Sequence, residues 1–264
     1  MPTILWGAVR SRAAQACTLL LLTGLPAAVA AAAPRFVLTG TERAATAAAA
    51  GVPAAQRTIT VHREDDTQGD PAATLAGFGA AVDRTLPMPG AATVLGLSRQ
   101  MSVTDASGVP TPINVDYRAG FCRRVRLTAG TCPAAAGDAA LTTAVATRLG
   151  VRPGDLVRIQ STSAAPFLPL RVTGIYEIIA PETGYWADEL YRTGSGTDPI
   201  YTAAATFTGD QLGRAVLTWS AEAPPALLRG AGGYDLGALV ARAGELGDVE
   251  DPTGPLRADL ALAS

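Results

Sequence analysis

The 264-residue sequence contains no lysine, because all 21 of its basic residues are Arg. A P-loop ATPase needs a lysine that reaches the nucleotide phosphates, and a Schiff-base enzyme needs a lysine amine, so both classes are excluded. Histidine occurs once, at His62. A single histidine argues against a metal centre of the usual His-containing kinds, and we expect neither a metal nor a cofactor.

Motifs for hydrolytic chemistry are also missing. No Gly-x-Ser-x-Gly elbow accompanies His62, and the nearest match, residues 96–100, lacks the last glycine. Consecutive carboxylates occur at residues 64–66 and 188–189; they could bind a cation, but such runs are typical of solvated polar turns. We therefore predict that the chain is not an enzyme and has no catalytic residue.

The charge distribution gives no basis for nucleic-acid binding. Residues 1–34 contain two Arg and no acidic residue, whereas the rest of the chain contains 19 Arg and all 23 acidic residues. The densest basic group is Arg123, Arg124 and Arg126, which is too short for the basic stripe that nucleic-acid binding requires. Nucleic acid is thus not an expected partner.

One uncharged segment, residues 13–34, is long enough to cross a membrane. At about 1.5 Å per residue, a helix of this length spans about 33 Å, against about 30 Å for a bilayer core. Arg10 and Arg12 precede it, so the positive-inside rule predicts that residues 1–12 are cytoplasmic and that the chain after Arg35 is extracytoplasmic. This interpretation gives a single-pass protein of the cell membrane, in contact with the lipid bilayer.

A cleaved signal peptide is the alternative for the same segment. A basic start, the leucines of residues 19–22 and the small-residue run Ala28-Val29-Ala30 fit that pattern. Gly24 and Pro26 would also weaken an isolated anchor. Both interpretations export the rest of the chain.

Two of the three cysteines, Cys122 and Cys132, lie ten positions apart around a segment that contains Gly130. A short loop of this kind can bring two Cα atoms within disulfide distance, and an exported domain meets an oxidising compartment. A disulfide is favoured over two unrelated buried thiols.

The pattern along residues 57–264 predicts a mixed α/β or α+β domain. Residues 35–56 are Ala-rich and continue the first helix or form a linker. The predicted strands are residues 57–63, 93–103, 156–160, 170–179 and 214–220. The predicted helices are residues 70–86, 137–149, 208–213 and 235–246, and a turn is predicted at 105–112.

Aromatic residues cluster between the last two predicted strand regions, where Tyr185, Trp186 and Tyr191 precede Tyr201. A Tyr and Trp group in a loop flanked by Gly and Pro could face a ligand or a partner. Packing as a small core under the loop is the alternative. These three residues are the candidate partner or ligand surface.

Two stretches resemble a known family. Residues 132–141 (CPAAAGDAAL) followed by 146–155 (ATRLGVRPGD) resemble the P-x-x-x-G-E-v-x-l-s … A-x-x-L-G-l-x-p-G-D pattern of FtsX-like, MacB-type ABC transporter permeases. Residues 170–176 (LRVTGIY) then match the l-x-V-x-G-i-y strand of their extracytoplasmic domains, although Asp138 stands where that family usually has Glu. The close resemblance covers about residues 130–180.

The resemblance implies an extracytoplasmic MacB-like domain that serves as a docking or mechanical-coupling element in export or envelope processes. Its implied partners are a cytoplasmic ABC ATPase subunit and the remaining permease helices. Later helices of the family are not found, so the resemblance implies an N-terminal fragment with an incomplete domain. A secreted or cell-surface binding module, released by signal-peptide cleavage, is the alternative. The lack of Lys and the abundance of Ala indicate a GC-rich bacterial genome.

Overall fold

The computed structural model describes residues 53–67, 69–88, 90–104, 109–191 and 198–223, together with the backbone of 257–259. The segment 13–34, most of the stretch 35–56 and the predicted helix 235–246 lie outside the described residues, so those expectations remain predictions. Within the described ranges, no helix combines the length and the apolar character needed to span a bilayer.

Strands dominate the described part of the chain. They are β1 Thr58–Asp66, β2 Thr93–Thr104, β3 Pro110–Arg118, β4 Val125–Gly130, β5 Asp138–Thr142, β6 Leu156–Gln160, β7 Leu168–Ile178, β8 Ile200–Thr202, β9 Arg214–Glu222 and β10 Arg257–Asp259. The α-helices are α1 Pro71–Thr85, α2 Thr143–Leu149 and α3 Gly209–Leu212. Short 3-10 turns lie at Ala54–Arg57, Phe121–Arg123, Gly184–Trp186, Glu189–Tyr191 and Ala204–Thr206. The mixed α and β class predicted from the sequence is confirmed for these residues.

Helix α1 follows directly from its local sequence. Asp70 accepts hydrogen bonds from the N–H groups of Ala72 and Ala73, both at 3.0 Å, and Pro71 occupies the first helical turn. The buried face of α1 consists of Pro71, Leu75, Phe78, Gly79 and Val82. The cap and the apolar spacing together fix where the helix begins and which side packs on the sheet.

Six strands close into a ring through their pairings. β2 pairs with β3, β3 with β8, β8 with β5, β5 with β7, β7 with β6, and β6 with the end of β2. The ring closes because β2 is long: residues 93–98 pair with β9, whereas Ser102 and Val103 pair with β6. β1, β9 and β10 extend the sheet from β2, and β4 extends it from β7.

The main apolar core uses alternate residues of the ring strands, as expected when one face of each strand is buried. It includes Met101, Val103, Ile113, Val115, Ala139, Leu141, Val157, Ile159, Leu170, Val172 and Ile200, packed with the buried face of α1 and with Trp219. Ala140 and Tyr201, of the opposite parity on β5 and β8, belong to a separate aromatic cluster, and Tyr176 joins it beyond the register shift between β5 and β7. The two clusters therefore lie on opposite faces of the same strands.

The predicted helix 137–149 is wrong in its first half. Residues 138–142 form β5, between β7 and β8, and the helix begins at Thr143 with the Thr142 hydroxyl as its N-cap. Asp138 does not cap a helix. Its carboxylate accepts from the backbone of residues 134 and 135 and from Arg171 at 2.8 Å.

Strand β3 replaces the second half of the predicted turn 105–112. Pro110 and Pro112 suggest a turn, yet they lie opposite Thr104 and Ser102 of β2. The other side of β3 pairs with β8 only at Val115 and Asp116. The two prolines thus occupy an edge among the described strands, where a missing N–H is tolerated.

The acidic run at residues 64–66 lies at the end of strand β1 rather than in a turn. Glu64 is paired with Arg214 at 3.0 Å, and Arg63 pairs with Asp65 at 2.7 Å. Within the described ranges, no group of three or more His, Cys, Asp or Glu side chains could hold a metal ion.

Candidate functional site

The candidate site is a buried polar cluster beneath residues 184–191, which we name the cover. The cover consists of the two short turns Gly184–Trp186 and Glu189–Tyr191. It lies over one face of the sheet and brings Tyr185, Trp186, Asp188 and Tyr191 inward, with 6%, 3%, 3% and 0% of each residue exposed. The candidate partner or ligand surface, Tyr185, Trp186 and Tyr191, is therefore buried. These residues pack as a small core under the loop, which was the alternative prediction.

The aromatic rings form a continuous stack under the cover. Phe121 lies against Tyr201 with ring centroids 4.0 Å apart, and Tyr185 meets Trp186 edge-on at 4.7 Å. Trp186 also contacts Tyr201 edge-on, at 6.2 Å. Such pairs each contribute about 0.5–1.5 kcal/mol beyond their burial. Of these three pairs, the contact between Trp186 and Tyr201 joins the cover to the sheet.

Arg118 on β3 is the central cation of the cluster, with only 1% of the residue exposed. Its guanidinium carbon lies 4.1 Å from the ring centroid of Tyr191 and 4.8 Å from that of Tyr185. One terminal nitrogen donates to the Ser220 hydroxyl at 2.8 Å. Cation–π contacts from two cover residues thus partly replace the water that a buried guanidinium loses.

His62 and Asp188 join strand β1 to the cover. His62 Nε2 lies 2.8 Å from Asp188 Oδ2, and the Asp188 side chain is 1% exposed. Burial alone would raise the pKa of Asp188, but the hydrogen bond and charge of His62, the charge of Arg118 and the N–H of Leu190 together hold it below its usual value. Since an ionised carboxylate only accepts, the Nε2 of His62 is the donor. The expectation that residues 188–189 form a solvated turn is wrong for Asp188.

Asp116 on β3 has the opposite environment. It is fully buried, and neither carboxyl oxygen has a hydrogen-bond partner among the described residues. Burial raises the pKa of Asp116 well above its usual value, and the Asp188 charge adds to that effect. The nearby Ser98 hydroxyl and the Arg118 charge act in the other direction but do not prevail. Its environment thus favours the protonated form of Asp116, whereas the surroundings of Asp188 favour the ionised form.

Four further buried atoms of the cluster lack a hydrogen-bond partner in the described part of the chain. They are Nε and Nη1 of Arg118 and the hydroxyl oxygens of Tyr185 and Tyr201. The Tyr191 hydroxyl, by contrast, is satisfied by Thr218 at 2.7 Å. An unsatisfied buried polar atom costs about 1–3 kcal/mol, so the closed cover is opposed by a substantial desolvation cost.

The disulfide partners predicted from the sequence are joined: Cys122 and Cys132 are bonded, with Cα atoms 6.1 Å apart. Cys122 belongs to the turn Phe121–Arg123, which also places the Phe121 ring on Tyr201. The bridge connects this turn to the segment that follows β4. It therefore fixes one wall of the aromatic stack.

A surface cavity of about 300 Å³ adjoins the cluster. Its walls include Thr58, Val94, Arg124, Tyr185, Ser220 and Glu222. Tyr185 and Ser220 also contact Arg118, so the cavity reaches the edge of the buried cluster.

A second cavity, of about 440 Å³, lies beside β6 and is lined largely by apolar side chains. Leu156 and Phe167, on its wall, are 60% and 51% exposed. Unlike the aromatic residues of the cover, these side chains present apolar surface in the closed conformation.

Sequence reasoning missed Asp116, Arg118 and the role of Asp188. Residues 113–118 alternate apolar and polar side chains, which indicates a strand with its polar face in water. That face is buried only because the cover, about 70 residues later in the chain, lies on it. Apart from His62, every polar group of the cluster is buried in this conformation, so the arrangement is suited to holding a segment closed.

No protein-family model and no curated protein matches the sequence. Among solved structures, the chain is similar to a domain of a protein from Porphyromonas gingivalis that is described as a permease. That pair shares 11% identity over 78% of this chain and 90% of the other, with a TM-score of 0.39.

Two further solved structures are similar at the same level. One is the extracellular domain of the noncanonic ABC-type transporter YknZ from Gram-positive bacteria, with 13% identity, coverage of 76% and 99%, and a TM-score of 0.40. The other is the periplasmic region of MacB from Actinobacillus actinomycetemcomitans, with 9% identity, coverage of 78% and 89%, and a TM-score of 0.38.

Proposed function

We propose that residues 57–264 form the extracytoplasmic domain of an ABC transporter permease subunit, anchored by residues 13–34, and act as a docking or mechanical-coupling element. The observation that carries the proposal is structural: the stretches that resemble the permease pattern fold as one continuous unit. That unit is β5, α2, β6 and β7, and it supplies half of the strand ring.

The glycines and the aspartate of the pattern each have a defined place in this unit. Gly150 ends α2 in the left-handed region, with φ 67° and ψ 29°. Asp155 accepts from the Arg152 N–H at 2.8 Å, and its own carbonyl accepts from Val172 on β7 at 2.8 Å. A Cβ on Gly174 would collide with the Thr131 carbonyl oxygen. The pattern thus specifies the fold of this unit rather than a catalytic site.

A mechanical role is supported by the positions at which the chain enters strand β1 and leaves strand β9. Thr58 and Glu222 are directly opposite each other on β1 and β9. Arg57 pairs with the Glu222 carboxylate at 2.7 Å, and the Ala223 N–H donates to the Arg57 carbonyl at 2.8 Å. Force applied through the segment before residue 57 therefore acts on β1 at the same point where residue 223 leaves β9.

Export is supported by the disulfide and by the N-terminal pattern. A bridge between Cys122 and Cys132 persists in an oxidising compartment and is rare in a reducing one. The proposed ATPase partner lies on the other side of the membrane, so residues 1–12 are the part of this chain that could contact it.

Site-specific photo-crosslinking in cells of the source organism tests the proposal. A photoreactive residue at Trp6, in the predicted cytoplasmic segment, should crosslink to an ABC ATPase or to permease helices identified by mass spectrometry. The same residue at Glu182, which is exposed on the extracytoplasmic domain, should never reach the ATPase. Recovery of a soluble species beginning near Ala31, with no such crosslinks, would support the secreted binding module instead.

A further inference from the structure

The cover closes over an unusual concentration of buried polar atoms without partners. Asp116 contributes two of them, Arg118 two, and the hydroxyls of Tyr185 and Tyr201 one each, counted among the described residues. Native interiors normally satisfy such groups, so a cluster of six calls for a conformation in which they find partners. Opening of the cover would give all six access to water.

Side-chain hydrogen bonds from β1, β9 and β3 join the cover to the sheet. His62 meets Asp188 at 2.8 Å, Thr218 meets the Tyr191 hydroxyl at 2.7 Å, and the Asn114 amide donates to the Leu190 carbonyl at 3.4 Å. Other hydrogen bonds of the cover are local, such as that from the Tyr191 N–H to the Asp188 carbonyl at 3.1 Å. The turns of the cover are too short to persist alone in water, so their local hydrogen bonds should break when the contacts to the sheet break.

Asp116 is the group whose charge would change on opening. The charged groups that face it are Arg118 on its own strand β3 and Asp188 on the cover, which is bound to His62 of β1. Three tyrosines also interact with it: Tyr191 on the cover, Tyr201 on β8 and Tyr176 on β7. β2 contributes the uncharged Ser98. Of these groups, Arg118 favours the ionised form of Asp116 and Asp188 opposes it.

We propose that residues 184–191 are a pH-sensitive cover, which opens when the Asp116 carboxyl loses its proton and so exposes the buried polar cluster to water. In the closed conformation a second negative charge would be buried beside Asp188, and the Ser98 hydroxyl and the Arg118 charge do not offset its lost hydration. In the open conformation the same carboxylate is hydrated and Asp188 has moved away. The inference goes beyond the proposed transporter role and does not depend on it.

Linkage gives the size of the effect. Between the pKa of a hydrated Asp, about 4, and the raised pKa in the closed state, one proton is lost on opening. The opening equilibrium constant should therefore rise about tenfold for each pH unit in that window. It should level off above the closed-state pKa, where Asp116 is ionised in both conformations.

Hydrogen exchange of the full chain, read by mass spectrometry on peptides covering 184–191, measures the opening. The amides of Trp186, Ala187, Leu190 and Tyr191 are all hydrogen-bonded, so their protection factors report on it. Between about pH 5 and about pH 8, protection of the cover should fall about tenfold per pH unit over part of the range. It should remain below that of strand β5 throughout.

Two variants decide whether Asp116 is responsible. Asp116→Asn has the same shape without the titration, so its protection factors should lose the pH dependence, whereas the exposed Asp210→Asn should behave like the wild type. Cover peptides as strongly protected as β5 at every pH would overturn the proposal. So would an Asp116→Asn variant that keeps the wild-type pH dependence.

Discussion

The disulfide gives the most quantitative prediction. Cys122 is exposed and Cys132 half-buried, so replacing both by Ser creates no cavity and exposes no new charge. The bridge closes a loop with a sequence separation of 10. In the chain-entropy model a loop of this length removes about 9 cal/mol/K from the unfolded chain, or ~2.7 kcal/mol at 25 °C.

The double variant Cys122→Ser/Cys132→Ser should therefore lose about 2–3 kcal/mol of unfolding free energy. Urea unfolding of the oxidised wild type and the double variant, followed by far-ultraviolet circular dichroism, measures the difference. The double variant avoids new pairing with Cys17, which a single substitution would permit. A difference below about 0.5 kcal/mol, or two free thiols in the exported protein, would refute the reasoning.

Three other outcomes are expected. Asp70→Ala removes an acceptor for two N–H groups of α1 and should lower the unfolding free energy by about 1 kcal/mol in urea titrations, with Asp70→Asn as a nearly neutral control. Folded Asp116 holds its proton more tightly than the unfolded chain does, so the wild type should lose unfolding free energy as pH rises above about 4, by at most about 1.4 kcal/mol per pH unit. The Asp116→Asn variant should lack this loss in unfolding experiments over the same pH range. The purified chain should show no ATPase or hydrolase turnover, and a turnover abolished by His62→Ala would contradict the non-enzyme prediction.

Local signals explain what the sequence allowed us to predict. The Asp70-Pro71 cap, the Gly150 stop and the alternation in residues 156–160 each depend on neighbours within a few positions. Accordingly, α1 begins at the cap, α2 ends at Gly150, and β6 covers residues 156–160. The short cysteine spacing is a local signal of the same kind. Each of these features depends on backbone chemistry that a single segment carries.

Long-range contacts explain what the sequence did not reveal. Residues 138–142 have helix-compatible composition, yet they become β5 because β7 and β8 pair with both of their edges. His62 and Asp188 are 126 positions apart, and no local sequence pattern indicates that their side chains form a hydrogen bond. The burial of Asp116 likewise depends on a cover that lies on the far side of β4 to β7 in the sequence.

Protease digestion of intact spheroplasts tests the central claim most directly, with the chain carrying an epitope before Met1. The account predicts that residues after Arg35 are degraded from outside, while a membrane-bound stub with residues 1–12 stays protected on the cytoplasmic side. Protection of the whole chain would contradict the account. A released species that begins near Ala31 would leave export intact and contradict the anchor.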